Sequence, residues 1–129
     1  MRTLRVGIAS YEGMKARTVA IARGEYRPAA GEPKVWFASA ESFARVLSDR
    51  NRILLGIIVE STPESLTRLA ELSGRKKSNL SRTLKTMERY GFVHLSRGAR
   101  GSVVPRVPYQ RILLTLPLPM PRREGTEAA

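Results

Sequence analysis

Residues 74–92 read GRKKSNLSRTLKTMERYGF, and this stretch decides how the rest of the chain is interpreted. Helical spacing places Leu80, Leu84 and Met87 on one side of a single helix. Polar and cationic residues fall on the opposite side, namely Ser78, Arg82, Lys85 and Arg89. The stretch therefore predicts a helix that packs on a core with one face and meets a polyanion with the other. By itself, a basic amphipathic helix is also typical of membrane surfaces, RNA and partner proteins.

The positive charge of the chain is concentrated around this helix. The 129 residues carry a formal net charge of +12, which favours nucleic acid or an anionic surface as partner. Between residues 74 and 111 there are ten basic residues and one acid, Glu88, so this segment holds +9 of the +12. We expect one domain with extensions, because the chain is long enough for one core.

Several classes of protein are disfavoured by residues that the chain lacks. There is no cysteine and one histidine, so we expect no metal site, no cofactor and no disulfide. Neither a phosphate-binding glycine loop nor a nucleophile with a neighbouring base is found, and we expect a protein that is not an enzyme. The longest apolar run, Ile53 to Val59, is too short for a membrane span, and no signal peptide precedes it. We expect a cytoplasmic protein without a membrane partner.

The first forty residues predict short strands around one helix. Leu4, Val6 and Ile8 alternate with smaller or charged residues, which indicates a strand. Ser10 is a plausible N-cap for a helix that ends near Gly24. A connector rich in proline and glycine leads to a second short strand at residues 35–37.

Three helices are predicted between this connector and residue 74. Ser39 can cap the first and Asp49 the second, whose apolar stripe is expected to consist of Ile53, Leu54, Ile57 and Ile58. For the third helix, Thr62 is expected as the N-cap and Pro63 at the first helical position. Its inward face is expected to consist of Leu66, Leu69 and Ala70.

Beyond Gly91 the pattern changes to period two. Residues 92–95 predict a strand, residues 97–101 a hairpin tip and residues 102–107 the return strand. Pro105 would make the return strand an edge. Residues 112–118 predict a last extended segment, which is a candidate partner for the N-terminal strand.

Helix, turn, helix and an arginine-bearing hairpin is the order of a winged helix-turn-helix. The stretch LAELSGRKKSNLSRTLKTMERYGFVHLSRG, residues 69–98, resembles the DNA-binding core of MarR-like and ArsR-like transcriptional regulators. The segments RVGIASYEGMKARTVAIARGEY and EPKVWFASAESFARVLSDRNR resemble small prokaryotic winged-helix regulators often encoded beside a toxin, as candidate antitoxins. This second resemblance implies a toxin protein as a further partner.

We therefore expect an α+β, mostly helical fold: a winged helix-turn-helix domain at residues 38–118, preceded by a strand-helix extension at 1–37 and followed by a disordered tail at 119–129. The expected function is sequence-specific binding of double-stranded DNA by a transcriptional regulator, a repressor or an autoregulating antitoxin. Because one recognition helix covers only a few base pairs, we expect a homodimer. Residues 3–23 and 112–116 are the candidate dimer surface.

The recognition helix is expected at about residues 77–90, in the major groove, and the wing at about 92–107. Asn79 suits adenine and Arg82 suits guanine, because an amide and a guanidinium can each form two parallel hydrogen bonds with those bases. Residues farther along the helix suit phosphate, and the wing arginines suit the backbone or a narrow minor groove. A lysine at position 76 does not cap a helix. The expected DNA contacts are Arg75, Lys76, Lys77, Ser78, Asn79, Ser81, Arg82, Lys85, Arg89, Arg97, Arg100 and Arg106.

Less specific interpretations remain open for the same residues. A cationic helix face is often only solvated surface, and hairpin arginines can serve only to keep an edge strand soluble. A rival function is a protein-interaction module, or an antitoxin that acts mainly by binding its toxin. Single-stranded RNA is less favoured as partner, since no aromatic residues alternate with the basic ones.

Overall fold

The computed structural model describes residues 2–118, so the tail predicted at 119–129 lies outside the described residues. Within them the five helices are α1 (Tyr11–Ala22), α2 (Ala40–Val46), α3 (Asp49–Ser61), α4 (Leu66–Ser73) and α5 (Lys77–Arg89). The five strands are β1 (Thr3–Ile8), β2 (Val35–Phe37), β3 (His94–Arg97), β4 (Val103–Arg106) and β5 (Arg111–Thr115). The expected α+β class is confirmed, with helices making up the larger share.

The two ends of the described chain meet in one parallel sheet of order β2-β1-β5. Leu4 pairs with Ile112 and Val6 with both Leu114 and Val35, so every second residue of the three strands faces the same side. Leu4 and Val6 are buried there. The last extended segment thus pairs with the N-terminal strand, as its sequence suggested.

Serine hydroxyls begin the four helices that precede α5. Ser39 and Ser42 form a reciprocal capping box at α2, and Ser10 caps α1 by accepting a hydrogen bond from the Gly13 N–H. The predicted cap of α3 is wrong: Ser48, not Asp49, accepts the Asn51 N–H, and Asp49 is the first helical residue. A hydroxyl one position earlier already satisfies that donor.

The predicted start of α4 is wrong as well. Helix α3 continues to Ser61, and Thr62 ends it in the left-handed conformation with φ of 40°. Because Thr62 belongs to the preceding helix, Pro63 does not open the next one. Ser65 caps α4 instead, with its hydroxyl 3.0 Å from the Arg68 nitrogen.

The buried stripe of α3 is rotated from the predicted one. Leu54, Leu55 and Ile58 are buried, whereas Ile53 is 65% exposed. The sequence contains apolar residues on both sides of this helix, so periodicity alone did not separate the two phases.

A single core joins the sheet to the helices. Phe37 of β2 stacks on Tyr90 at 4.5 Å between ring centroids and lies edge-on to Phe43 of α2. Phe92, which follows α5, stacks 6.1 Å from Phe37. Core residues therefore come from both sides of the boundary predicted between residues 37 and 38. Among residues 2–118, no helix has both the length and the apolar character needed to cross a bilayer.

Candidate nucleic-acid interface

Helix α5 is oriented by its apolar seam. Leu80, Leu84 and Met87 are each at most 1% exposed, as the sequence predicted, and this burial holds the opposite face toward solvent. That outward face carries most of the residues expected to contact DNA on this helix: Lys77, Ser78, Asn79, Arg82, Lys85 and Arg89. Ser81 is half-buried beside them. The face is thus a continuous polar and cationic surface.

The turn into α5 leaves the start of the helix open. Gly74 ends α4 in the left-handed conformation, with φ of 73°, which glycine adopts without strain. Lys76 stands at the N-cap position, and no side chain within residues 2–118 caps the helix there. The prediction that Lys76 does not cap is confirmed. Backbone N–H groups of the first turn therefore remain available to an anion.

The hairpin after α5 displays two arginines. Strands β3 and β4 pair antiparallel, with Arg97 opposite Val103, and both Arg97 and Arg100 are exposed. Gly98 is required by close packing in this tip, because a Cβ there would lie 2.5 Å from Val104 Cγ2. The tip is compact, and its cations extend into solvent.

Helix and hairpin border one groove. This groove, of about 260 Å³, is lined by Ser81 and Lys85 of α5 and by Arg97 of β3. Glu88 stands between them, and its carboxylate accepts a hydrogen bond from the Leu95 N–H at 3.3 Å. The acid noted in the sequence therefore attaches the hairpin to α5. Of the predicted DNA contacts, Ser81, Lys85 and Arg97 come together along this groove, and the others lie outside its lining.

The cations of this surface have no acidic partner in the described part of the chain. The ion pairs found within residues 2–118 are Arg17 with Glu32, Arg23 with Glu25, Arg52 with Asp49, and Arg68 with Glu71. None of them involves α5 or the hairpin. The carboxylate of Glu88 lies near these cations in the groove but forms no ion pair with them, and no other acid of the described residues pairs with them.

Three of the expected DNA contacts also form side-chain hydrogen bonds within the fold, namely Arg75, Asn79 and Arg106. Arg106 donates from Nη1 to the carbonyl oxygens of Pro63, at 2.6 Å, and Pro105, at 2.7 Å. Arg75 donates to side chains of α3 and α5. Burial lowers the pKa of the Arg75 guanidinium, and the charge of nearby Arg50 adds to this effect. Both arginines hold neighbouring elements together.

Arg50 and Asn51 are residues that the sequence did not single out. Arg50 and Arg75 line the same small cavity, of about 120 Å³, between α3 and the turn before α5. Asn51 accepts a hydrogen bond from Arg75 across 24 positions of the chain. No local sequence pattern signals a contact over that separation. For Arg50, the one available signal was a basic residue in the first turn of a predicted helix.

Comparison with known proteins identifies a family. The family model HVO_A0114 matches residues 46–114, just over half of the chain, and the protein belongs to this family. The match covers α3, α4, α5, the hairpin and most of β5. No curated protein and no solved structure matches the chain. The family name states no activity, and the resemblance to MarR-like and ArsR-like regulators and to antitoxins stays a prediction.

Proposed function

We propose that this protein is a winged helix-turn-helix regulator that binds double-stranded DNA through α5 and the β3–β4 hairpin. One observation carries the proposal: Lys85 of α5 and Arg97 of the hairpin border one groove, and the exposed cations of both elements have no ion-pair partner among residues 2–118. Cations arranged along a groove bind phosphates by releasing condensed counterions. The helices α4 and α5 act as the helix-turn-helix and the hairpin as the wing.

In this proposal the parts of α5 have different tasks. The first turn and a half, from Lys77 to Arg82, enters the major groove, where Arg82 can donate two hydrogen bonds to guanine. Lys85 and Arg89 contact phosphates, and Arg97 and Arg100 extend to the flanking backbone or minor groove. The uncapped start of α5 offers backbone N–H groups to one more phosphate.

We further propose a homodimer, because two recognition helices on inverted half-sites raise affinity and specificity. Of the candidate residues 3–23 and 112–116, the exposed ones of α1 and β5 are available to a second copy, because β1 is the central strand of the sheet and its Leu4 and Val6 are buried. Tyr11 is 79% exposed and Leu113 is 41% exposed. Burying them in a second copy would remove apolar area from water.

Salt-dependent binding to duplex DNA tests the proposal. If about six phosphates are neutralised, fluorescence anisotropy with a labelled mixed-sequence duplex should give a log-log salt slope of about −5. Lys85→Ala and Arg100→Ala should each make this slope shallower by about one. Arg45→Ala is the matched control, since it removes an exposed cation from α2, outside the proposed DNA and dimer surfaces, and should leave the slope unchanged. A folded protein with no affinity for any duplex at low salt would contradict the proposal.

A second candidate function is a protein-interaction module, such as an antitoxin that binds a toxin. The exposure of α1 favours it, because none of its residues is buried and Tyr11, Val19 and Ile21 are exposed to solvent. This function would be favoured if the protein bound no duplex but formed a stable complex with a toxin protein, and if Val19→Asp disrupted that complex. Neither candidate assigns a catalytic residue, and we propose no enzymatic activity.

A further inference from the structure

Arg75 links three helices through side-chain hydrogen bonds. Its Nε donates to Asn79 Oδ1 at 2.9 Å, its Nη1 to Asn51 Oδ1 at 3.0 Å and its Nη2 to Thr83 Oγ1 at 3.2 Å. The Asn51 Nδ2 in turn donates to the carbonyl oxygen of Val46, at the end of α2, at 2.8 Å. The turn before α5 is therefore connected to α2, α3 and α5 by one network.

This network determines which way the Asn79 amide points. A guanidinium has five donors and no acceptor, so an amide that bonds to it must present its oxygen. The Asn79 oxygen therefore faces Arg75, and its NH₂ group faces away from it. Asn79 is exposed in the first turn of α5, where a recognition helix contacts base edges. One of the two lone pairs of the oxygen is occupied by Arg75, so the NH₂ group, a donor with two hydrogens, is the part of Asn79 left fully available to a base.

We propose that Arg75 is a positioning residue that makes Asn79 a hydrogen-bond donor toward DNA, so that α5 prefers guanine at this position. The inference rests on the proposed DNA-binding function and changes the expectation drawn from the sequence. Adenine binds an asparagine that donates to N7 and accepts from N6 with the same amide. Here the accepting oxygen is directed to Arg75. Guanine offers N7 and O6, which are both acceptors, and no donor in the major groove.

Arg75 is thereby distinguished from a simple phosphate contact. A phosphate contact would add affinity to every sequence equally. A positioning residue instead changes the base preferred by its neighbour. The two roles give different results in a selection experiment, since overall affinity and preference at one position are read separately.

The test is selection of bound duplexes from a random pool, followed by affinity measurements on duplexes that differ at one position. The wild-type protein should prefer guanine, by about tenfold, at one position of the recovered motif. Arg75→Met keeps the length of the side chain and removes its donors. It should reduce the guanine preference there severalfold or shift it toward adenine, leaving the other positions unchanged. Arg75→Lys, which retains one donor for Asn79, should restore part of the preference.

Two further variants keep the test decisive if Arg75→Met does not fold. Asn79→Asp retains an acceptor for Arg75 but has no donor, and should abolish the guanine preference without lowering the melting temperature. Thr83→Val removes another acceptor of Arg75 and leaves the Asn79 contact, so it should preserve the preference. Uniform weakening of all duplexes by Arg75→Met, with the guanine preference intact, would overturn the inference. Asn79→Ala identifies the motif position that Asn79 contacts, because the base preference there is lost. If the wild-type protein prefers adenine at that position, the inference is also overturned.

The structural half of the inference has its own measurement without DNA. In nitrogen-15 NMR spectra, the Arg75 Nε–H should exchange slowly with water in the wild-type protein and faster in Asn79→Ala. Protection of this group together with a wild-type protein that binds no duplex would contradict the proposed function but retain the orientation of Asn79. Duplex binding without this protection would contradict the inference and leave the proposed function standing.

Discussion

Helices α1 and α5 are of nearly equal length, 12 and 13 residues, yet they are held in opposite ways. Ser10 caps α1, and no residue of α1, which lies wholly in the described range, is buried. Helix α5 has no side-chain cap within that range, but Leu80, Leu84 and Met87 attach it to the core. Burial of apolar side chains thus holds α5, whereas α1 has a side-chain cap and packs only through half-buried residues. Packing leaves the uncapped start and the cationic face of α5 free.

The charges of the two helices differ in the same way. On α1, Arg17 pairs with Glu32 at 2.8 Å and lies over the rings of Trp36 and Tyr26. The cations on α5 have no such partner in the described residues. An arginine already paired has less to gain from a phosphate. For the proposed DNA binding, the comparison favours α5 over α1, because the cations of α5 form no ion pair within the described residues.

The largest difference is expected in stability. Leu84→Ala should lower the free energy of unfolding by about 2–5 kcal/mol, because it leaves a cavity beneath α5. Val19→Ala on α1 should change it by less than about 0.5 kcal/mol, because Val19 is exposed. Urea unfolding of both variants measures the two effects. Equal losses would mean that α1 is packed as firmly as α5.

The next effect concerns recognition of bases. Arg82→Ala should weaken binding to the preferred duplex by about 1–3 kcal/mol and relax the preference at one position. Arg17→Ala, the control on α1, should leave DNA affinity unchanged, since Arg17 is engaged with Glu32. Anisotropy titrations on the preferred duplex and on single-position variants give both values. A loss of affinity in Arg17→Ala as large as in Arg82→Ala would remove the distinction between the helices.

Giving α5 the kind of cap that α1 has should separate stability from binding. Lys76→Ser introduces a hydroxyl at the N-cap and should raise the free energy of unfolding by about 1 kcal/mol. The same change should weaken DNA binding, because it removes a charge and occupies N–H groups otherwise open to a phosphate. Thermal unfolding and duplex titration of one variant give both quantities. If the free energy of unfolding and the DNA affinity rise together in this variant, the start of α5 does not contact DNA.

The smallest effect is expected for a single phosphate contact. Lys85→Ala should weaken binding to all duplexes alike, since a lysine bound to phosphate carries no sequence information. Titrations on a preferred and on an unrelated duplex should show equal losses. A loss confined to the preferred duplex would place Lys85 at a base edge.

Much of the helical framework was predictable because it is encoded by short-range patterns. The seam of α5 repeats at helical spacing, and Ser10 and Ser39 are hydroxyls directly before their helices. The rotated stripe of α3 was not predictable from period alone, because Ile53 and Leu55 are equally apolar. Thr62 followed by Pro63 has the local pattern of a helix start. Its actual role, as the C-cap of α3, depends on how far α3 continues, and the local pattern does not show this.

The residues of the candidate site were predictable from the sequence, but their hydrogen bonds to other parts of the fold were not. The cationic face of α5 follows from helical geometry applied to the residues themselves. The engagement of Arg75 with Asn51 depends on how α3 packs against the turn, and that of Arg106 with Pro63 on how the hairpin folds back. These contacts join residues 24 and 43 positions apart, beyond the range of any local pattern.

The central claim is that the outer face of α5 reads duplex DNA, and selection from a random duplex pool by the wild-type protein tests it most directly. We predict recovery of a motif with two inverted half-sites, with centres about 10 base pairs or a multiple of this apart. Recovery of no enriched sequence by a folded protein at low salt would contradict the claim.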